Sequence, residues 1–321
     1  MLACWSWKMK RCNCHKHGGL NGFRTVFSMK NFAYHLLAIA TIAIWGVTFV
    51  NTKVLLHAGL APLEIFVLRF AIAYLCILAF SRGKLKSKSW KDELLFVVLG
   101  IVGGSLYFLA ENEAIGISYV NNVAFIVCTA PLITMLLGLL FVKDIKATPP
   151  LIIGSVIALI GVGVVIYNGK FVLRLNPKGD LLALTAALSW ALYSLIIKKI
   201  SLRYGAVFIT RKVFFYGLLT ALPVFLLRPW TFPVEGFARP EVWMNLVFLA
   251  VIASFACFFF WSVAVSKIGV MQTSNYIYLN PVTTVIASAL VLDEPMTPMA
   301  YIGSALILAG VFVANKLEVR R

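Results

Sequence analysis

The chain has 321 residues, of which 61% are hydrophobic and 13% charged, and its mean hydropathy is +0.92. Soluble domains carry about 45–50% apolar and about 25% charged residues, and disordered chains fewer apolar residues still, so neither class fits. The net charge is nevertheless +17, from 29 Lys and Arg against 12 Asp and Glu. In a soluble protein this would suggest a nucleic-acid partner; in a membrane chain it raises the question of which side of the bilayer holds the charge.

A helix crosses the hydrocarbon core with about 20 mostly apolar residues. Ten runs meet that need in chain order: Ala33–Leu56, Pro62–Phe80, Leu94–Ile115, Val120–Val142, Leu151–Tyr167, Leu181–Ile200, Val207–Leu227, Val242–Val265, Met271–Leu292 and Met299–Lys316. Open strands leave edge N–H and C=O groups unpaired in lipid, and the runs are too long and too uniformly apolar for barrel strands. The predicted fold is an all-α polytopic membrane protein of ten transmembrane helices. Connections are short, so the machinery must lie within the membrane or its vestibules.

If the N-terminus is cytoplasmic, 22 of the 29 basic residues fall on the inner side and five on the outer, leaving Lys53 and Arg69 within spans. This bias predicts both termini in the cytoplasm of a plasma (inner) membrane. It accounts for the basic excess, and no nucleic-acid partner is expected.

The chain repeats itself. Ala114, Pro131 and Asp144 recur 150 residues later as Ala264, Pro281 and Glu294, giving A-x16-P-x12-[DE] twice. Gly154 and Gly161 match Gly303 and Gly310, and the pair Trp45 and Lys53 matches Trp190 and Lys198. Each half has five spans. Five is odd, so the second half enters from the opposite side and the repeats are inverted, as in many secondary transporters.

These motifs carry a resemblance. The stretch Leu106–Pro131 followed by Asp144, its partner Ala264–Glu294, and the WGVTFVNTK and WALYSLIIK segments resemble the EamA-type transporters of the drug/metabolite transporter superfamily, over about Phe32–Lys316. The resemblance implies two inverted five-helix repeats around a central cavity and transport of a small metabolite, often export of amino acids or related compounds. The expected organisation is a basic tail at 1–31, repeats at 32–168 and 180–317 joined by a linker at 169–179, and a tail at 318–321. Met29 stands just before the first span and is an expected alternative start. The expected function is secondary transport of a small polar or zwitterionic metabolite by alternating access. The alternatives are a passive channel or facilitator, and a membrane-embedded enzyme or receptor-like scaffold. No HExxH or phosphate-binding loop occurs, so an enzyme is not expected.

Several in-span polar residues are candidate ligands. Gly100, Gly104, Tyr107 and Glu111 share one helical face, and small residues mark packed sides, so Glu111 is predicted to face the bundle. It would bind a substrate ammonium or carry a coupling proton. Glu113 is read as a surface residue. Arg69 would bind a carboxylate, or snorkel, or pair with Glu64 or Glu111. Lys53 would bind an anion or pair with Glu111.

Trp45 and Thr48 of the first span, with Trp190 and Tyr193 of the sixth and Trp261 of the eighth, are expected either to wall a cavity or simply to pack. Asn122, with Asn275, Tyr278 and Asn280, are candidate ligands or interhelical contacts. Pro131 and Pro281 predict bends for gating or cavity shape, against static packing. The glycine pairs predict close helix packing. Cys12, Cys14, His15 and His17 are poorly spaced for a metal, and no metal or cofactor is expected. A small-molecule substrate, the lipid bilayer and possible coupling protons are the expected partners.

Overall fold

The computed structural model describes residues 29–81, 83, 86–118, 120–142, 148–167, 176–228, 230–291 and 298–316, without the side chains of 29–31, 120–122, 166–167, 288–291 and 316. The expectations for an alternative start at Met29, for Cys12, Cys14, His15 and His17, for the side chain of Asn122, and for Asp144 and Glu294 therefore lie outside it.

Ten helical spans are described. They are α1 (Met29–His57), α2 (Pro62–Phe80), α3 (Trp90–Ile117), α4 (Val120–Val127 and Ala130–Phe141) and α5 (Pro149–Tyr167). Then come α6 (Pro177–Ile200), α7 (Ala206–Leu227), α8 (Pro240–Ile268), α9 (Val270–Asn275, Tyr276–Leu279 and Asn280–Val291) and α10 (Pro298–Lys316). By length and composition eight of them, the interrupted α4 included, suffice to cross a membrane; α5 is shorter in its apolar part, and α9 is divided into three segments. Helices α2, α5, α6, α8 and α10 all start at proline, whose fixed φ suits the first turn and whose missing N–H would be unpaired there anyway. The turns after α1 and α8 close on Gly59 (φ 105°) and Gly269 (φ 87°), where a Cβ would be strained.

The two repeats do not sit side by side. Helix α1 packs on α8 and α9, and its counterpart α6 packs on α3 and α4. Helix α2 packs on α7 and α8, α7 also on α3, and α5 on α10. Apart from the successive pairs α3–α4 and α8–α9, the substantial contacts run within two mixed groups, α2/α3/α7/α8 and α4/α5/α9/α10, or to α1 and α6 between them.

Two polar clasps hold the first group. Glu64 on α2 caps its own helix at the Ala61 N–H (2.9 Å) and also accepts the N–H groups of Thr231 (2.5 Å) and Phe232 (3.1 Å) in the α7–α8 loop. It is thus not the partner of Arg69. At the other face, Arg211 on α7 donates to Ser81 Oγ (2.9 Å) and the Gly83 carbonyl (3.2 Å) in the α2–α3 loop. Each second helix of a repeat grips the long loop of the other. Beside Arg211, Glu93 accepts from Lys212 and Tyr216, while Asp92 accepts from Arg203 (2.6 Å) and Tyr204 (2.9 Å). These ion pairs join α3 to α7 and its preceding turn at one end, and Glu113 of α3 meets Arg228, the C-cap of α7, at the opposite end of the bundle, at 2.6 Å.

The glycines of α5 and α10 set the other group. A Cβ on Gly154 would fall on the Gly310 carbonyl and Ala314 N–H, and one on Gly161 would fall on Gly303 and Ile307. The two backbones meet, as small residues allow in lipid. Gly310→Leu should force the helices apart and cost about 1–3 kcal/mol or more. Measured as thermal unfolding in detergent, it should lower the melting temperature clearly, whereas Gly116→Ala, where nothing lies within 4 Å, should leave it unchanged.

Candidate substrate cavity

Four helices depart from regular α geometry, in two equivalent pairs. Helix α3 contains a π turn at Ile101–Ser105 and α8 one at Phe248–Ala256, matching at the 150-residue offset. Helix α4 breaks just before Ala130, and α9 passes through a 3-10 turn just before Asn280. In both, proline is the second residue of the new segment, Pro131 or Pro281. A proline removes the N–H that would bond four residues back, at Val127 or Ile277.

A cavity of about 460 Å³, measured out to its mouth, lies at this level. Its walls come from α1 (Trp45, Thr48, Phe49), α2 (Arg69), α3 (Tyr107, Phe108, Glu111), α4 (Val127, Ala130), α6 (Trp190), α8 (Phe258) and α9 (Ile277, Asn280). Both helical groups and both bridging helices contribute.

Of the residues singled out from sequence as candidates, Trp45, Thr48, Arg69, Glu111, Trp190 and Asn280 line it. Glu111 is 8% exposed, and its Oε1 accepts the Tyr107 hydroxyl at 2.7 Å. It faces the bundle, but for a reason the sequence pattern did not contain. Gly100 and Gly104 abut Gly217 on α7, and the π turn between them adds a residue that turns Tyr107 and Glu111 onto the cavity side. Gly103, in the same turn, lies under the Tyr193 ring, where a Cβ would clash.

Arg69 is 2% exposed. Its Nε donates to Ser254 in the α8 π turn (2.9 Å), and its guanidinium lies 4.2 Å from the Phe108 ring centroid. This fixes the charged plane against an aromatic face. It does not snorkel, and among the described residues it makes no ion pair within 4.0 Å, with Glu111 or otherwise.

Trp45 donates its indole N–H to the Ala253 carbonyl (2.9 Å), again in the π turn, and stands edge-on to Trp190 with centroids 5.0 Å apart. Thr48 donates back to the Trp45 carbonyl. Trp261 is fully buried behind this pair, 5.2 Å from Trp45 and 5.7 Å from Trp190. Tyr193 is fully buried beneath Trp190.

The remaining candidates lie off the cavity. Lys53 donates to the Ile115 carbonyl at the end of α3 (3.1 Å) and does not meet Glu111. Asn275 bonds Asn315 of α10 (3.1 Å) and joins those helices. Tyr278 is fully buried away from the lining. Pro131 and Pro281 are both buried beside it. The lining adds Tyr107, Phe108 and Phe258, and it places Asn280 rather than Asn275 on the wall. The repeat itself could have pointed to Phe258, since it lies 150 residues after Phe108. Among the described residues no cluster of three potential metal ligands occurs.

The chain matches the EamA-like transporter family over residues 32–167 and again over 177–316. It is 28% identical over 300 residues to an uncharacterised transporter, YyaM, of Bacillus subtilis, covering 89% of this chain and 95% of that protein. It is 26% identical over 292 residues to a probable amino-acid metabolite efflux pump of Escherichia coli, covering 87% and 93%. It is also 26% identical over 286 residues to a probable terminal-alkyne amino-acid exporter of Streptantibioticus cattleyicolor, covering 88% and 93%. A solved crystal structure shares the fold with a TM-score of 0.72 at 21% identity, over 89% of this chain and 99% of that one. With the family matched over both repeats and nearly the whole chain, the protein belongs to the EamA-like transporter family and is a membrane transporter, not an enzyme.

Proposed function

We propose that the protein exports a small zwitterionic metabolite, an amino acid or close derivative, across the plasma membrane by alternating access through this cavity. The observation that carries the reading is the presence of one carboxylate, Glu111, and one guanidinium, Arg69, on the wall of a single aromatic-lined cavity between the repeats. A zwitterion presents the complementary pair, an ammonium for Glu111 and a carboxylate for the planar Arg69 fork. The ring faces of Trp45 and Trp190 suit the ammonium as well. Two relatives bear names that point to amino-acid efflux, which supports both the class of substrate and the direction. Glu111 is also the group in the lining that can take up a coupling proton.

The basic bias assigns both termini to the cytoplasm and the Glu113–Arg228 end of the bundle to the outside. A phosphatase fused in the α7–α8 loop at Gly236 should be active in cells, and one fused after Arg321 inactive; the reverse pattern would overturn this orientation.

Flux in proteoliposomes against a panel of amino acids, nucleobases and sugars, with and without a pH gradient, tests the transport reading. Saturable amino-acid flux that responds to the gradient is expected. Saturable flux indifferent to pH and sodium gradients would indicate a facilitator. Glu111→Gln should lower amino-acid transport about 10- to 100-fold, the span expected for loss of a charged hydrogen bond, or uncouple it from pH. Wild-type kinetics and coupling in that variant would remove Glu111 from the site.

A further inference from the structure

The cavity is polar on one side. From the group α2/α3/α7/α8 it receives Arg69, Tyr107 and Glu111. From α4/α5/α9/α10 it receives Val127, Ala130, Ile277 and Asn280, so Asn280 is the one polar side chain that this group presents among the described residues. The residue is 6% exposed, and its Oδ1 is buried with no hydrogen-bond partner among the described residues. A buried amide left in this state is costly unless something fills it.

The backbone around Asn280 is fully engaged. Its carbonyl accepts Thr283 Oγ1 at 2.9 Å, and the single hydroxyl proton of Thr284 is shared between that carbonyl (2.9 Å) and the Gly46 carbonyl of α1 (2.7 Å). A Cβ on Gly46 would collide with Thr283 and the Asn280 carbonyl. Packing therefore pins the main chain and leaves the amide to the cavity. The other repeat supplies a comparison within the same chain. Thr134 bonds the Ala130 carbonyl at 2.7 Å as Thr284 bonds that of Asn280, and Pro131 follows Ala130 as Pro281 follows Asn280. The two half-helices are built alike, so alanine satisfies the structural demands of the position. The amide is an addition.

We infer that Asn280 is the specificity ligand through which the α4/α5/α9/α10 group reads the substrate, its amide hydrogen-bonding the polar head of a zwitterion held by Arg69 and Glu111 on the facing wall. This rests on the transport reading above and adds the substrate's contact with the second helical group. An amide offers an N–H to a carboxylate and a carbonyl to an ammonium side by side.

The test is Asn280→Ala in proteoliposomes, scored on whichever solute the wild type carries from the panel of amino acids, nucleobases and sugars. The half-saturation concentration should rise about tenfold, as for one lost hydrogen bond. The maximal rate should change less, the solute-free melting temperature should hold, and Asn280→Gln should recover part of the affinity. If the alanine variant does not fold, Asn280→Ser decides by the same measurements. A folded variant with wild-type half-saturation, or one whose loss matches a lowered solute-free melting temperature, overturns the assignment and leaves transport standing. A wild type that carries sugars or nucleobases but no amino acid overturns the zwitterion reading, and Asn280 is then judged on that solute. A wild type that carries none of the panel overturns both.

Discussion

In hydrocarbon a backbone N–H or C=O without a partner costs several kcal/mol, so a spanning chain can leave regular helix only where protein or a cavity receives it. That constraint locates the candidate cavity in this transporter. The π turns of α3 and α8 and the proline breaks of α4 and α9 occur in two equivalent pairs, and all four helices supply residues to one cavity. The irregular backbone is put to use. The Ala253 carbonyl in the α8 π turn takes the Trp45 indole, and Ser254 beside it takes Arg69 Nε. The Ile277 carbonyl, deprived of its helical donor by Pro281, accepts the 3-10 bond from Asn280 and, at 3.8 Å, the thiol of Cys128 in the α4 break.

Duplication gives a symmetric apolar frame, and departures from it give polarity. Trp45 faces Trp190, Phe108 has its counterpart in Phe258, and Val127 has its counterpart in Ile277. At other equivalent positions the repeats differ in kind. Glu111 corresponds to Trp261 and Tyr107 to Cys257, both sealed in the core, and Ala130 corresponds to Asn280. A site with strict two-fold symmetry would present the same groups to both ends of a solute. These substitutions make the two ends distinguishable, which a molecule with an ammonium and a carboxylate requires.

Much of the fold was legible in the sequence because bilayer thickness sets helix length. Pro62–Phe80 agrees to the residue, as do the ends at Tyr167, Ile200, Leu227 and Lys316, and the boundaries that differ shift by a few positions, mostly outward to capping prolines and serines such as Pro240 and Ser89. The repeat was legible because helix-packing glycines and helix-breaking prolines have no equivalents of other types. Side-chain partners were less so. Lys53 reaches a carbonyl four residues beyond Glu111. Glu64 serves a loop more than 160 residues away. Asn275 and Asn280 differ in the sequence only by five positions in one span, yet the 3-10 turn between them sends one to α10 and the other to the cavity. Hydropathy and a fixed 3.6 period cannot register a change of helical pitch.

The packing also bears on which parts can move. Rocking one repeat rigidly against the other would tear α1 from α8 and α9, α6 from α3 and α4, α2 from α7 and α5 from α10. It would also open both clasps, Glu64 on the α7–α8 loop and Arg211 on the α2–α3 loop. A seam between α2/α3/α7/α8 and α4/α5/α9/α10 spares the clasps, the glycine contact of α5 with α10 and the ion pairs of α3 with α7. It passes through the cavity, with Arg69 and Glu111 on one side and Asn280 on the other. On the proposed reading a solute bound there would span the seam, and its binding energy would favour closure of one group on the other, which is the differential interaction that any ligand-driven change of state requires. In this architecture each packed group draws its helices from both sequence repeats.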